Sequence, residues 1–352
     1  MKEATVNVHS VDTNAQSATD LFDHLPELGT VPGLVWAFRI HEDGKADTLP
    51  VDQPIEGRHE GWIWLHVDLA NQQTSRWLAA SGLPPAAIAT MLSRDRHQQL
   101  HTTSTYIHGI LADLEGGIGG VGEGIGHLRF VMTDRLLISG RHRDLASVET
   151  VRTRIESGRH RLSHVASLLE LIVEQVADGI DQIVDELATE LDGIENALAD
   201  RSTGVERSKL ARMRHAAVRL HRQLAGLRAV FHRLERKGSE GIKPGLQLAA
   251  SKLAQRLDDL DHGVLELRER GHRLQEEASS LMAEETNRHL HVLSIVTTLL
   301  LPPTLVTGIF GMNIKGLPFI ENEAGLLWTM GLVLMSSLAV YVVMRRVGIF
   351  KS

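Results

Sequence analysis

The chain has 352 residues, 37 Lys and Arg against 44 Asp and Glu, a formal net charge of −7, and no cysteine. Disulfides and thiolate metal centres are therefore excluded, so any metal must be handled by oxygen, imidazole or water. The length suggests two or three domains.

Residues 1–30 hold no apolar core of the signal-peptide kind, so the polar mass is expected to stay in the cytoplasm. Residues 33–40 (GLVWAFRI) and 62–67 (WIWLHV) read as strands, and 75–81 and 85–93 as short helices, the second opened by Pro85. Residues 105–114, 127–133 and 136–141 alternate or run apolar like strands, and 148–156 reads as a helix. Strands interleaved with helices over 1–160 predict an α/β domain, a mixed sheet with flanking helices. Gly117-Ile118-Gly119-Gly120-Val121-Gly122 matches G-x-G-x-x-G, but a strand follows it. A dinucleotide site needs a helix there, so the segment is expected to be a hairpin loop.

From 161 the chain turns helical. Residues 165–200 carry ten acids and no Lys or Arg, whereas 201–237 carry eleven bases and two acids. Opposite blocks joined at Ser202-Thr203-Gly204 predict an antiparallel hairpin over 161–242 whose arms attract each other. The basic arm lacks interleaved aromatics, which argues against nucleic acid as a partner. Residues 243–310 lack a strong breaker before Pro302, and predict a stalk helix about 100 Å long that ends as a membrane span.

Residues 292–310 and 324–344 are uncharged apolar runs, each long enough to cross a bilayer. Arg288 precedes the first, and Arg345, Arg346 and Lys351 follow the second. The 311–323 loop holds Lys315 against Glu321 and Glu323. By the positive-inside rule both termini are cytoplasmic and the loop lies outside, with 324–352 as second span and basic tail.

The first span carries the functional signal. Asn287, Leu290, Ser294, Thr297, Leu301 and Thr304 follow one another at steps of 3 and 4, a heptad seam on one helix face. Each hydroxyl alone is readily satisfied by the carbonyl one turn back. Four polar groups on one seam point instead to a pore lining, with Leu290, Leu293 and Leu301 as apolar constrictions that stop ions by dewetting. Two spans cannot enclose a pore, so an oligomer is expected, with the first span of each subunit around the axis. Pro302-Pro303 frees carbonyls at Thr298 and Leu299, and either flares the mouth or is tolerated packing. Gly311-Met312-Asn313 ends the helix and offers a ring of neutral amide oxygens from Asn313. Such a ring holds a divalent ion through its water shell.

Asn287, Leu299-Leu300-Leu301-Pro302, Thr304 and Gly308-Ile309-Phe310-Gly311-Met312-Asn313 resemble the CorA superfamily of divalent-cation transporters. The likeness extends over essentially the whole chain. In the loop, Leu317-Pro318-Phe319 stands where magnesium carriers commonly have Met-Pro-Glu-Leu, and 313–319 looks like the ZntB zinc-transport branch. The resemblance implies a funnel-shaped homopentamer in a bacterial inner membrane, with Asn313 at the outer entrance. It also implies zinc as cargo with proton coupling, and no tightly bound cofactor; magnesium, cobalt or nickel carriage by the same architecture is the alternative. Five copies of the loop would sum to about −5, so Lys315, Glu321 and Glu323 either steer cations or are ordinary solvated residues. Glu276 is either an inner acidic ring or a solvated stalk charge.

Nineteen histidines invite a metal reading. His97/His101 and His160/His164 have i, i+4 spacing, which suits a helix-borne pair but lacks a third ligand. His289 and His291 flank the seam where the stalk meets the membrane, and either relay protons or face the interface. No assembled catalytic set is present, so an enzyme is not expected. The remaining alternative is a membrane-anchored metal-sensing scaffold that conducts nothing.

Overall fold

The computed structural model describes residues 29–55, 60–117, 120–158, 160–200, 207–236, 244–312 and 325–347. Two compact units divide the chain, Met1–His272 and Arg273–Ser352.

The first unit holds a seven-stranded sheet. Its strands are β1 (Leu34–Ile40), β2 (Ala46–Leu49), β3 (Trp62–Asp68), β4 (Gln99–Thr102), β5 (Ile107–Gly117), β6 (Gly120–Met132) and β7 (Leu136–Arg141). They lie in the order β2-β1-β3-β7-β6-β5-β4. Only β3 and β7 pair in parallel; the other neighbours are antiparallel, so the sheet is mixed as expected. A parallel pair needs a long crossover, and here that crossover contains α1 (Gln72–Ala80), α2 (Pro85–Leu92) and the β4–β6 meander. The short polar strands β2 and β4 escape a sequence reading because they sit at the edges, where the core imposes no alternation. Gly117 pairs with Gly120, so β5 and β6 form an antiparallel pair up to the glycine run.

The central strands are buried on both faces, which is why they read as continuous apolar runs. One face packs Ala37, Ile63, Leu65, Val67 and Ile138 with Leu78 and Met91 from α1 and α2. On the other face Trp36 stacks on His66, with ring centroids 4.2 Å apart. Arg152 of α3 (Ala146–Glu156) lies 4.9 Å over the Trp36 ring. The result is an α/β/α sandwich. Helix α1 is capped locally, Asn71 accepting from the Gln73 amide at 2.9 Å. Helix α3 has no cap of its own. The buried Asp113 carboxylate of β5 accepts from the Ser147 and Val148 amides at 3.3 Å instead, and burial pushes its pKa up to about 6.

Three long helices follow: α4 (Val165–Ala199), α5 (Arg207–Arg236) and α6 (Pro244–Phe310). The acidic α4 and the basic α5 each form ion pairs with α6. Lys252 pairs with Glu174, Arg256 with Asp178 and Arg270 with Asp192. The constant offset of 78 residues means that α4 and α6 run parallel. Arg228 pairs with Asp258 and Asp261, His221 with Asp261 and His232 with Asp258. There the numbers rise on one helix as they fall on the other, so α5 is antiparallel to α6. Both helices are thus tied by charge to a third.

The second unit holds the rest of α6 and α7 (Gly325–Val347). Both helices are long and apolar enough to cross a membrane.

Candidate ion pathway

Helix α6 continues through Pro302 and Pro303 and ends at Phe310. The Gly311 amide donates to Thr307 O at 2.9 Å and the Met312 amide to Ile309 O at 3.3 Å, closing the last turn. Met312 is therefore the last described residue before the loop. Asn313, Lys315, Glu321 and Glu323 lie outside the described residues.

The seam is solvent-facing along its length. Asn287, Ser294, Thr297 and Thr304 are exposed, and Leu290, Leu293 and Leu301 are 59%, 62% and 60% exposed. Extended inward at the same steps, the seam passes Ala283 and Ser280 and reaches Glu276, all exposed. Leu274 and Ala278, about half a turn away, are buried. The seam is thus the uncommitted side of α6 where that helix has a buried side at all. Exposed leucines on a candidate span need lipid or another protein surface against them.

The hydroxyls are held in the helix. Thr297 donates to Leu293 O at 2.8 Å and Thr304 to Leu301 O at 2.7 Å. Thr307, off the seam, donates to Pro303 O at 3.0 Å. Each threonine oxygen keeps a lone pair for water or a hydrated ion, since its proton is spent on the backbone. Proline at 302 and 303 removes the donors that would meet Thr298 O and Leu299 O.

His289 and His291 are exposed on α6 beside the seam. The two other histidine pairs lose their helical premise. His101 lies on β4 opposite His108, with His97 in the segment before it, and His160 and His164 precede α4. Among the described residues no group of three or more His, Asp or Glu is arranged to hold a metal.

A family model described as "CorA-like Mg2+ transporter protein" matches residues 59–346. The chain belongs to this CorA-like family. It is a divalent-cation transporter by that membership. Among curated relatives, the Zinc transport protein ZntB of Yersinia enterocolitica is 26% identical over 297 residues, covering 82% of this chain and 87% of the relative. The Zinc transport protein ZntB of Pectobacterium carotovorum subsp. carotovorum is 26% identical over 293 residues, covering 81% and 86%. The solved full-length CmaX protein superposes with a TM-score of 0.74 at 25% identity, over 89% of this chain and 97% of that one. The CorA magnesium transporter of Methanocaldococcus jannaschii gives 0.71 at 19%, over 89% and 98%, and speaks for the CorA-like fold alone.

Proposed function

We propose that this CorA-like chain carries zinc across a bacterial inner membrane as a homopentamer, with both termini cytoplasmic. Five copies of α6 surround a wet axis. Hydrated ions enter past a ring of Gly311, Met312 and Asn313 and descend from Thr304 through Leu301, Thr297, Ser294, Leu293 and Leu290 to Asn287. Lys315, Glu321 and Glu323 set the field at the mouth, Glu276 forms an inner acidic ring, and His289 and His291 relay protons. Residues 1–160 and 161–242 serve as the cytoplasmic sensing part, 243–310 as stalk and first span, 311–323 as external loop, and 324–352 as second span and tail. The observation that carries the reading is the exposed seam of α6, where hydroxyl and amide groups alternate with leucine at pore-lining spacing. An anchor without conduction has no use for such alignment. The curated relatives named for zinc transport favour zinc. The family model's own description favours magnesium as the second reading.

The deciding experiment is flux into proteoliposomes, zinc against magnesium, with and without a pH gradient. Faster zinc uptake driven by the gradient is expected; magnesium uptake alone assigns the second reading. Asn313→Ala should cut flux at least tenfold while the oligomer stays intact by size exclusion. Normal flux in that variant counts against the entrance ring.

A further inference from the structure

The α/β unit contains a cleft of about 800 Å³ that is not part of the proposed ion pathway. It is lined by Arg94, Arg96, Arg129 and Arg143 and by His127 and His142, with Glu115 as its one acidic wall residue. In a chain of net charge −7, the lining residues carry an excess of about three positive charges, with Asp95 and Asp68 acting on the site from outside the lining.

Arg129 lines the cleft. It is 4% exposed. Its Nε donates to Ser93 O at 2.9 Å, Nη2 to Asp95 O at 2.9 Å and Nη1 to His127 O at 3.4 Å. Those carbonyls satisfy its hydrogen bonds but carry no net charge. Among the described residues no carboxylate lies in ion-pair contact with it, although the Asp95 charge acts on it from a distance. A buried cation without a counter-ion is costly, and an anion in the cleft removes the cost.

His142 adds a donor. Arg129 Nη1 also donates to His142 Nδ1 at 3.3 Å, which puts the imidazole proton of neutral His142 on Nε2. The His127 ring bonds the Arg96 backbone, which leaves its buried Nε2 as an unpartnered acceptor in the neutral form. Burial and the Arg129 charge push both imidazoles below their ordinary range. Glu115 is already engaged, accepting from Arg143 Nη1 at 3.1 Å, so it does not neutralise the other three arginines.

We infer that this cleft binds a soluble phosphate-bearing anion, attracted by the buried charge of Arg129, met by His142 within and held by Arg94 and Arg96 at the rim. The volume suits a small molecule, at the upper part of the usual pocket range. The forks of Arg94 and Arg96 can match phosphoryl oxygens in pairs, which favours phosphate over a monovalent ion.

The test is calorimetry on the full-length protein in detergent. EDTA is present, so that no divalent cation bridges the ligand to the ion pathway. The probes are pyrophosphate and ATP, with chloride at matched ionic strength as control. Saturable binding of either phosphate probe is expected. Arg94→Gln with Arg96→Gln should weaken it at least tenfold without touching the buried arginine. Ser75→Trp, which fills the cleft from α1 without changing charge, should abolish it, while Arg154→Gln, on exposed α3 surface, should leave it unchanged. Tighter binding of ATP assigns a nucleotide, and equal binding assigns the phosphates alone. No saturable binding, or equal losses in Arg154→Gln and the cleft variants, overturns the proposal.

Discussion

His108 is buried at the β5–α2 contact. Its Nδ1–H donates to Thr90 Oγ1 at 2.8 Å, while that hydroxyl donates to Ala86 O. Burial, and then the neighbouring His101, lower its pKa to about 4. The unfolded chain binds the proton near pH 6.5, so the neutral side chain's contribution is whole above that value and is lost as pH falls towards 4. The loss over the whole range is about 3 kcal/mol by the usual 1.36 kcal/mol per unit. His108→Leu leaves Thr90 satisfied by Ala86 and should flatten this part of the acid sensitivity. The check is the drop in unfolding midpoint between pH 7.5 and pH 5, which should be smaller in the variant. His66, fully buried and pushed well below its ordinary value, shares the sign, so some acid sensitivity should persist. At the membrane end, His289→Ala should alter the pH dependence of flux if the proposed relay operates. An unchanged profile removes His289 from the mechanism.

Helix α6 sorts charge by face, with bases toward α4 and acids toward α5. The exchange is uneven in burial. Asp261 is 3% exposed and serves both Arg228 and His221, whereas Arg270 meets Asp192 and Glu195 at the surface. Removing a buried acid strands its partners, so Asp261→Ala should cost about 3 kcal/mol. Arg270→Ala should cost under about 1 kcal/mol, because solvent screens that pair. Thermal unfolding of both variants decides the matter, and equal losses would contradict this ranking. The acidic and basic blocks themselves were plain in sequence. Their ion pairs with α6 were not, since contacts from 26 to 78 residues apart leave no trace in a local i, i+4 pattern.

For the whole molecule, the lack of cysteine turns the proposed assembly into a direct measurement. A single cysteine in place of Ser294 should cross-link neighbouring subunits under mild oxidation if the seams meet around an axis. Val292→Cys, about half a turn away on the same helix, should not. Dimer bands from the second variant and none from the first would place the seam against lipid and end the pore reading.

Periodicity was enough to read the two spans, the long helices, the buried strands and the spacing of the seam, because each is written in residues a few positions apart. The CorA-like resemblance likewise rested on contiguous runs such as Gly308–Asn313. Only the tertiary structure decided the sheet order, the role of Asp113 as a cap for α3, the use of α6 as a shared ion-pair partner, and the gathering of Arg94, Arg96, Arg129 and Arg143. Those features join β5 to α3, or the loop after α2 to β6 and the end of β7. Long-range pairing is set by how layers pack and which charges burial leaves without a partner, and neither quantity exists until the chain has folded.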